Sequence, residues 1–191
     1  FPAIKLTSQA LFLNGKKLGK LVLDVYKIPQ GLKIDKLELA GELIEVTATG
    51  SWLFKQSWHE STFSINFKTP AIGDAMNLFD FQASIEDGEA NAQLQASWSG
   101  PPHWFEMKRL NGSLQISINK GQLRDIDPGG GRVFGLLSVQ TLKRRLFLDF
   151  SDLFKKGFSF DKIEGRFSIA DGDAFTNDLY LDGPAARIDM A

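Results

Sequence analysis

The stretch GQLRDIDPGGGRVFGLLSVQTLKRRLFLDFSDLFKKGFSFDKIEG, from Gly121 to Gly165, changes its hydrophobic period twice and thereby sets the fold class. Asp127-Pro128 followed by Gly129, Gly130 and Gly131 ends the preceding strand and allows positive φ before a helix starts. Val133, Phe134, Leu136, Leu137, Val139 and Leu142 then recur at spacings of three and four, which predicts a short helix with one broad apolar face. Lys143, Arg144 and Arg145 fall in its last turn, where cations complement the dipole. From Leu146 the period becomes two: Leu146, Leu148 and Phe150 point one way, Phe147 and Asp149 the other.

Working outward, alternation dominates the rest of the chain. Ile4 to Ile28 reads as two strands around Asn14-Gly15, a hairpin signal, although Lys16 to Gly19 suggests a longer loop, and Leu21, Leu23 and Val25 form one face of the second. Leu32 and Ile34 are in one phase and Leu37 and Leu39 in the other, so a bulge is expected at Asp35-Lys36. A strand follows over Leu43–Phe54, and then Phe63, Ile65 and Phe67 alternate with polar neighbours as in a strand with one wet face. Pro70 to Phe79 has helical spacing instead, with Asp74 near the positive end, and predicts a second short helix. Asp87-Gly88 is read as a hairpin turn between Phe81–Ile85 and a returning strand through Ala90, Leu94 and Trp98. Later strands are expected at Leu114–Ile118, Phe158–Ile169, Ala174–Leu181 and Ala186–Met190, with turns at Asp171-Gly172 and Asp182-Gly183-Pro184.

The expected fold is therefore mainly β, a curved antiparallel meander sheet, groove or taco-like, with two short helices. One domain spans 1–191, with Gly100-Pro101-Pro102 as the one plausible internal boundary, near 100–103. The hairpins NGSLQISINKGQL, EGRFSIADGDAF and FQASIEDGEANA echo one another, as stacked units would and as an ordinary meander also would.

Composition excludes several functions. A net charge of −1 and a pI near 6.2 lack the basic excess that nucleic acid requires. With no cysteine there is neither a disulfide framework nor thiol chemistry. His59 and His103 stand far apart, each beside a tryptophan, and are most simply packing or surface residues. GxSxG, HExxH and Walker patterns are missing. The Asp127–Arg132 loop lacks the Lys-Ser/Thr pair of a phosphate loop, and Asp171, Asp173, Asn177 and Asp178 lack the bidentate Glu of a calcium loop. No catalytic residue, metal or cofactor is expected, and no apolar run is long enough to span a bilayer. Phe1-Pro2-Ala3 begins in mid-pattern, so any leader or anchor is expected outside this stretch.

What stands out is 16 Phe against 2 Tyr, because phenylalanine has no polar handle and needs a core or an apolar guest. At DPGGGRVFGLLSVQTLKRRLFLDFSDLFKKGFSFDKIEGRFSIADG and DGPAARIDM the chain resembles the C-terminal region of the YhdP proteins, AsmA-like envelope proteins of Gram-negative bacteria. The resemblance implies a periplasmic segment of a longer inner-membrane-anchored protein whose U-shaped β-groove moves phospholipid toward the outer membrane.

Three readings are open. In the favoured one the segment conducts lipid without catalysis, its partners being phospholipid acyl chains and the flanking segments of the same longer chain. Leu146, Leu148, Phe150, Phe158, Phe160, Phe167 and Ile169 would line the groove, and Val133, Phe134, Leu136 and Leu137 would plug it. Arg144, Arg145, Lys155 and Lys156 either contact anionic headgroups or are solvated charge. Strands of about seven residues extend about 23 Å, against about 15 Å for one leaflet's hydrocarbon. The second reading is an envelope scaffold or partner-binding β-domain with a filled core. The third, a carbohydrate-active β-sandwich enzyme, needs two carboxylates about 5 to 10 Å apart in a cleft.

Overall fold

The computed structural model describes residues 3–55, 58–80, 85–123, 158–184 and 187–189. Its elements are β1 (Ile4–Leu13), β2 (Lys16–Ile28), β3 (Gly31–Ala40), β4 (Glu45–Lys55), β5 (Trp58–Thr69), α1 (Ile72–Leu78), β6 (Ile85–Ser99), β7 (Asn111–Leu123), β8 (Phe158–Ala170), β9 (Asp173–Phe175), β10 (Tyr180–Asp182) and β11 (Arg187–Asp189). They form one antiparallel sheet in the order β1-β2-β3-β4-β5-β6-β7-β8-β10-β11, with β9 paired to β8, and the sheet does not close into a barrel. The mainly β meander read from the alternation is thus the fold. Of the two expected helices, α1 lies inside Pro70–Phe79 as predicted, and the Val133–Leu142 helix falls outside the described residues.

Local chemistry accounts for the connections. Asn14 and Gly15 take φ of 49° and 80° between β1 and β2, and Asp171 and Gly172 take 49° and 85° between β8 and β9; short polar side chains and glycine tolerate that region best. At the start of α1 the Thr69 hydroxyl accepts the Ala71 N–H at 3.1 Å, which fixes the turn into the helix, and Asp74 sits in the first turn as expected.

Asp87 and Gly88 correct a prediction. They do take positive φ, 54° and 81°, but inside β6, which runs unbroken from Ile85 to Ser99. Lys120 does the same within β7, at φ 54°. These residues kink long strands instead of closing a hairpin, because an extended ladder can absorb one irregular residue and continue. The strand expected over Ala174–Leu181 is likewise divided, into β9 and β10. There the Asp178 carboxylate accepts the Arg166 N–H at 2.8 Å, a side chain standing in for a ladder partner.

The chain forms two compact units. The first comprises 1–68, 92–114 and 169–172, so Gly100-Pro101-Pro102 lies within it, and the second comprises 69–91, 115–168 and 173–191. The second unit has a packed interior of Ile85, Ala90, Ile118, Leu123, Phe158, Phe160, Ile163 and Leu181, with Ile72 and Leu179 against it. Burial along β8 falls on Phe158 and Phe160 and then on Ile163, Gly165, Phe167 and Ile169. That change of phase after Phe160 marks an extra residue near Asp161.

Candidate functional site: an apolar sheet face

In the first unit the pairing of β1 to β5 lines up the apolar residues of five strands. Leu6 opposes Leu23, Leu23 opposes Leu37, Leu37 opposes Ala48 and Ala48 opposes Ile65. A neighbouring row runs Ile4, Val25, Ile34, Gly50 and Phe63, and another Ser8, Leu21, Leu39, Val46 and Phe67. The opposite face carries Thr7, Val22, Glu38, Thr47 and Asn66 in one row and Lys20, Ala40, Glu45 and Lys68 in the next. There the Asn66 amide donates to Thr47 Oγ1 at 3.4 Å.

Two bulges keep the apolar side coherent. Ile34 pairs with Gly50 and Leu37 with Ala48, so Asp35 and Lys36 together face one residue of β4. Without that extra residue Leu32 and Ile34 would point to the polar side. An irregularity between Ser8 and Leu11 does the same in β1, returning Leu11 to the apolar phase opposite Gly19.

Most of this face is half-buried and not sealed. Ala48 and Leu39 are buried, whereas Ile4 and Leu6 on β1 are 49% and 47% exposed. Five strands about 4.8 Å apart and three rows about 7 Å apart give an apolar area about 20 Å by 14 Å. An apolar strip of that size matches the largest patch of an ordinary soluble domain, which is often a functional surface.

One end of the face is aromatic. Phe63 stacks on Trp98 with centroids 5.3 Å apart, and Phe105 meets Trp98 edge-on at 5.2 Å. Beyond them Trp52, Phe54, His59 and His103 pack together: Trp52 lies 4.9 Å from Phe54, 5.8 Å from His59 and 6.4 Å from His103. His59 is thus a half-buried packing residue of this cluster, and His103 stands exposed at its edge. The Trp98 indole donates to the Pro101 carbonyl at 3.3 Å. Ser61 donates to the Gly100 carbonyl at 2.8 Å, and the Gly100 N–H donates to the His59 carbonyl. These bonds fix the β6–β7 connection against the strand ends. In that connection Lys108, hydrogen-bonded to Glu106, and then Arg109 hold the Glu106 carboxyl below the usual carboxylate range.

Phe158, Phe160, Phe167 and Ile169 are all buried, Phe158 and Phe160 within the interior of the second unit. Leu146, Leu148, Phe150, Val133, Phe134, Leu136, Leu137, Arg144, Arg145, Lys155 and Lys156 lie outside the described residues. What the sequence reading missed is the β1–β5 face. Its signal was present in the alternation of Leu21, Leu23 and Val25 and of Phe63, Ile65 and Phe67, but only the register joins them.

Among the described residues no group of His, Cys, Asp or Glu could hold a metal ion, and no helix is long and apolar enough to cross a membrane. Fold and face together define an open antiparallel sheet whose first five strands have one largely polar side and one apolar side. The chain belongs to the YhdP protein family, whose description matches residues 1–191. It is 30% identical over 182 residues, 92% of its length, to the intermembrane phospholipid transporter YhdP of Escherichia coli (strain K12), and spans 14% of that relative. No solved structure matches it.

Proposed function

We propose that this chain is one stretch of a phospholipid-conducting sheet in the bacterial envelope, working without catalysis, in which an acyl chain lies along the apolar face of β1–β5 while its headgroup stays in water. The carrying observation is the unbroken row Leu6, Leu23, Leu37, Ala48 and Ile65, backed by polar residues on the other side of the same strands. The transport activity for which the Escherichia coli relative is named supports the ligand class. Each methylene removed from water contributes about 0.8 kcal/mol, so a long acyl chain can offset the cost of keeping the face open. Ile4 and Leu6 stand on the strand at the end of the sheet order, where a flanking segment of a longer chain would extend the same face. Movement toward the outer membrane and a site between the two envelope membranes belong to this reading.

The test is native mass spectrometry of gently purified protein together with uptake of a fluorescent phospholipid from detergent micelles. Leu23→Asp and Ile65→Asp are expected to reduce bound lipid at least several-fold, and Asn66→Asp on the polar side to leave it unchanged. Equal lipid in all three variants sinks the proposal. The filled interior around Phe158 and Phe160 favours a second reading, in which the second unit is a scaffold that packs on itself. Absence of co-purifying lipid and of uptake by the parent protein would favour it.

A further inference from the structure

The β6–β7 connection departs from the usual composition of a surface loop. His103, Trp104, Phe105, Glu106, Met107, Lys108 and Arg109 are seven consecutive exposed residues. Three are large and apolar, with Trp104 60%, Phe105 47% and Met107 37% exposed. The β4–β5 hairpin ends at the same place, held by the Gly100 N–H on the His59 carbonyl, and adds Phe54 at 37% and Trp58 at 49%. This is an anchored segment: its far end is tied by the Gly172 N–H to the Leu110 carbonyl at 2.8 Å. Keeping so much apolar surface in water on a fixed loop is unfavourable unless something covers it.

We propose that this aromatic end is a docking surface for a phospholipid bilayer containing anionic lipid, seated at headgroup depth. Tryptophan and histidine couple an apolar ring to a polar N–H and suit the layer where hydrocarbon meets water. Phenylalanine and methionine between them reach the acyl boundary. The charge is complementary as well, because Lys108 and Arg109 share a single carboxylate, that of Glu106 at 3.0 Å and 3.5 Å, leaving one net positive charge. Continuity strengthens the case: Phe105 touches Trp98, which stacks on Phe63 of the apolar face, so a bilayer seated here meets the end of that face. The inference rests on the lipid-conducting reading, for which it supplies the end where lipid enters or leaves.

The experiment is flotation of the whole chain with vesicles of phosphatidylethanolamine and phosphatidylglycerol. The parent is expected to float with the vesicles. Trp104→Ser with Met107→Ser should lower the partition coefficient roughly tenfold, given the exposed apolar area removed. Lys108→Gln with Arg109→Gln should lower it several-fold at low salt, with the difference fading at high salt. All four side chains are exposed, and unchanged circular dichroism melts would separate a docking defect from misfolding. A parent that fails to float, or a Trp104/Met107 variant that floats as well as the parent, overturns the proposal. So does vesicle-free self-association abolished by the same variant, which would assign the surface to a second copy of the chain. Uptake of micelle-delivered lipid separates the two readings: lost flotation with normal uptake refutes docking alone, and normal flotation without uptake refutes lipid conduction alone.

Discussion

The Trp52 indole N–H donates to Nδ1 of His59 at 3.2 Å across the β4–β5 hairpin, with the two rings stacked. Nδ1 is thus the acceptor of this bond. Removing the acceptor with His59→Ala should lower stability by about 1–2 kcal/mol, since a half-buried donor loses its partner. His59→Gln, which retains an acceptor oxygen, should recover part of that loss. Urea unfolding of both variants and the indole resonance of Trp52 check this. Equal stability of His59→Ala and the parent would contradict it.

Deleting Asp35 should be far more damaging than altering it. The deletion removes the bulge and drives the half-buried Leu32 and Ile34 to the polar side, costing about 1 kcal/mol for each, part of the transfer energy of a fully buried side chain. Loss of the dispersed amide spectrum, or a collapsed unfolding transition, is the expected outcome. Asp35→Asn should be nearly neutral, because the Lys33–Asp35 pair at 3.6 Å is exposed.

Phe160→Ala should cost about 3–5 kcal/mol in chemical denaturation, the range for emptying a well-packed aromatic site, since Phe160 is only 2% exposed. Phe175, 48% exposed at the end of the next strand, β9, should tolerate the same change within about 0.5 kcal/mol. A Phe160→Ala variant as stable as the parent would mean that the packing around it is loose enough to admit a guest.

Gly15 and Gly172 share a left-handed backbone but not their surroundings. A Cβ on Gly172 would come within 2.5 Å of the Met107 carbonyl oxygen, whereas one on Gly15 would meet open space. Gly15→Ala should therefore cost about 1 kcal/mol from backbone strain alone, and Gly172→Ala distinctly more. The reverse order in thermal melts would argue against the close approach of the β6–β7 connection to the β8–β9 turn.

Much of this architecture could be read where the cause is local. The bulge at Asp35-Lys36 was visible because four leucine and isoleucine positions change phase across two charged residues. Asn14-Gly15 and Asp171-Gly172 were legible because their turns need the conformations those residues favour, and α1 because Ile72, Ala75, Met76 and Phe79 break the two-residue rhythm. Asp87-Gly88 misled because the same conformational freedom serves a kink in a long strand and a hairpin equally well. The apolar face was hidden for a different reason. Which leucine of β2 lies against which leucine of β3 depends on non-local register, and alternation within one strand does not state it. Phe158 and Phe160 show the same limit, since an apolar wall facing a lipid and one facing its own neighbours have identical spacing.

All four tryptophans, at 52, 58, 98 and 104, fall in the first unit, whereas the second holds Tyr180 and the interior around Phe158 and Phe160. Indole emission is therefore a one-sided reporter: it follows the aromatic end and stays silent about the half containing Phe158 and Phe160. If the halves melt apart, such a trace records one event where two occur, and a tryptophan introduced beside Ile163 would make the other audible.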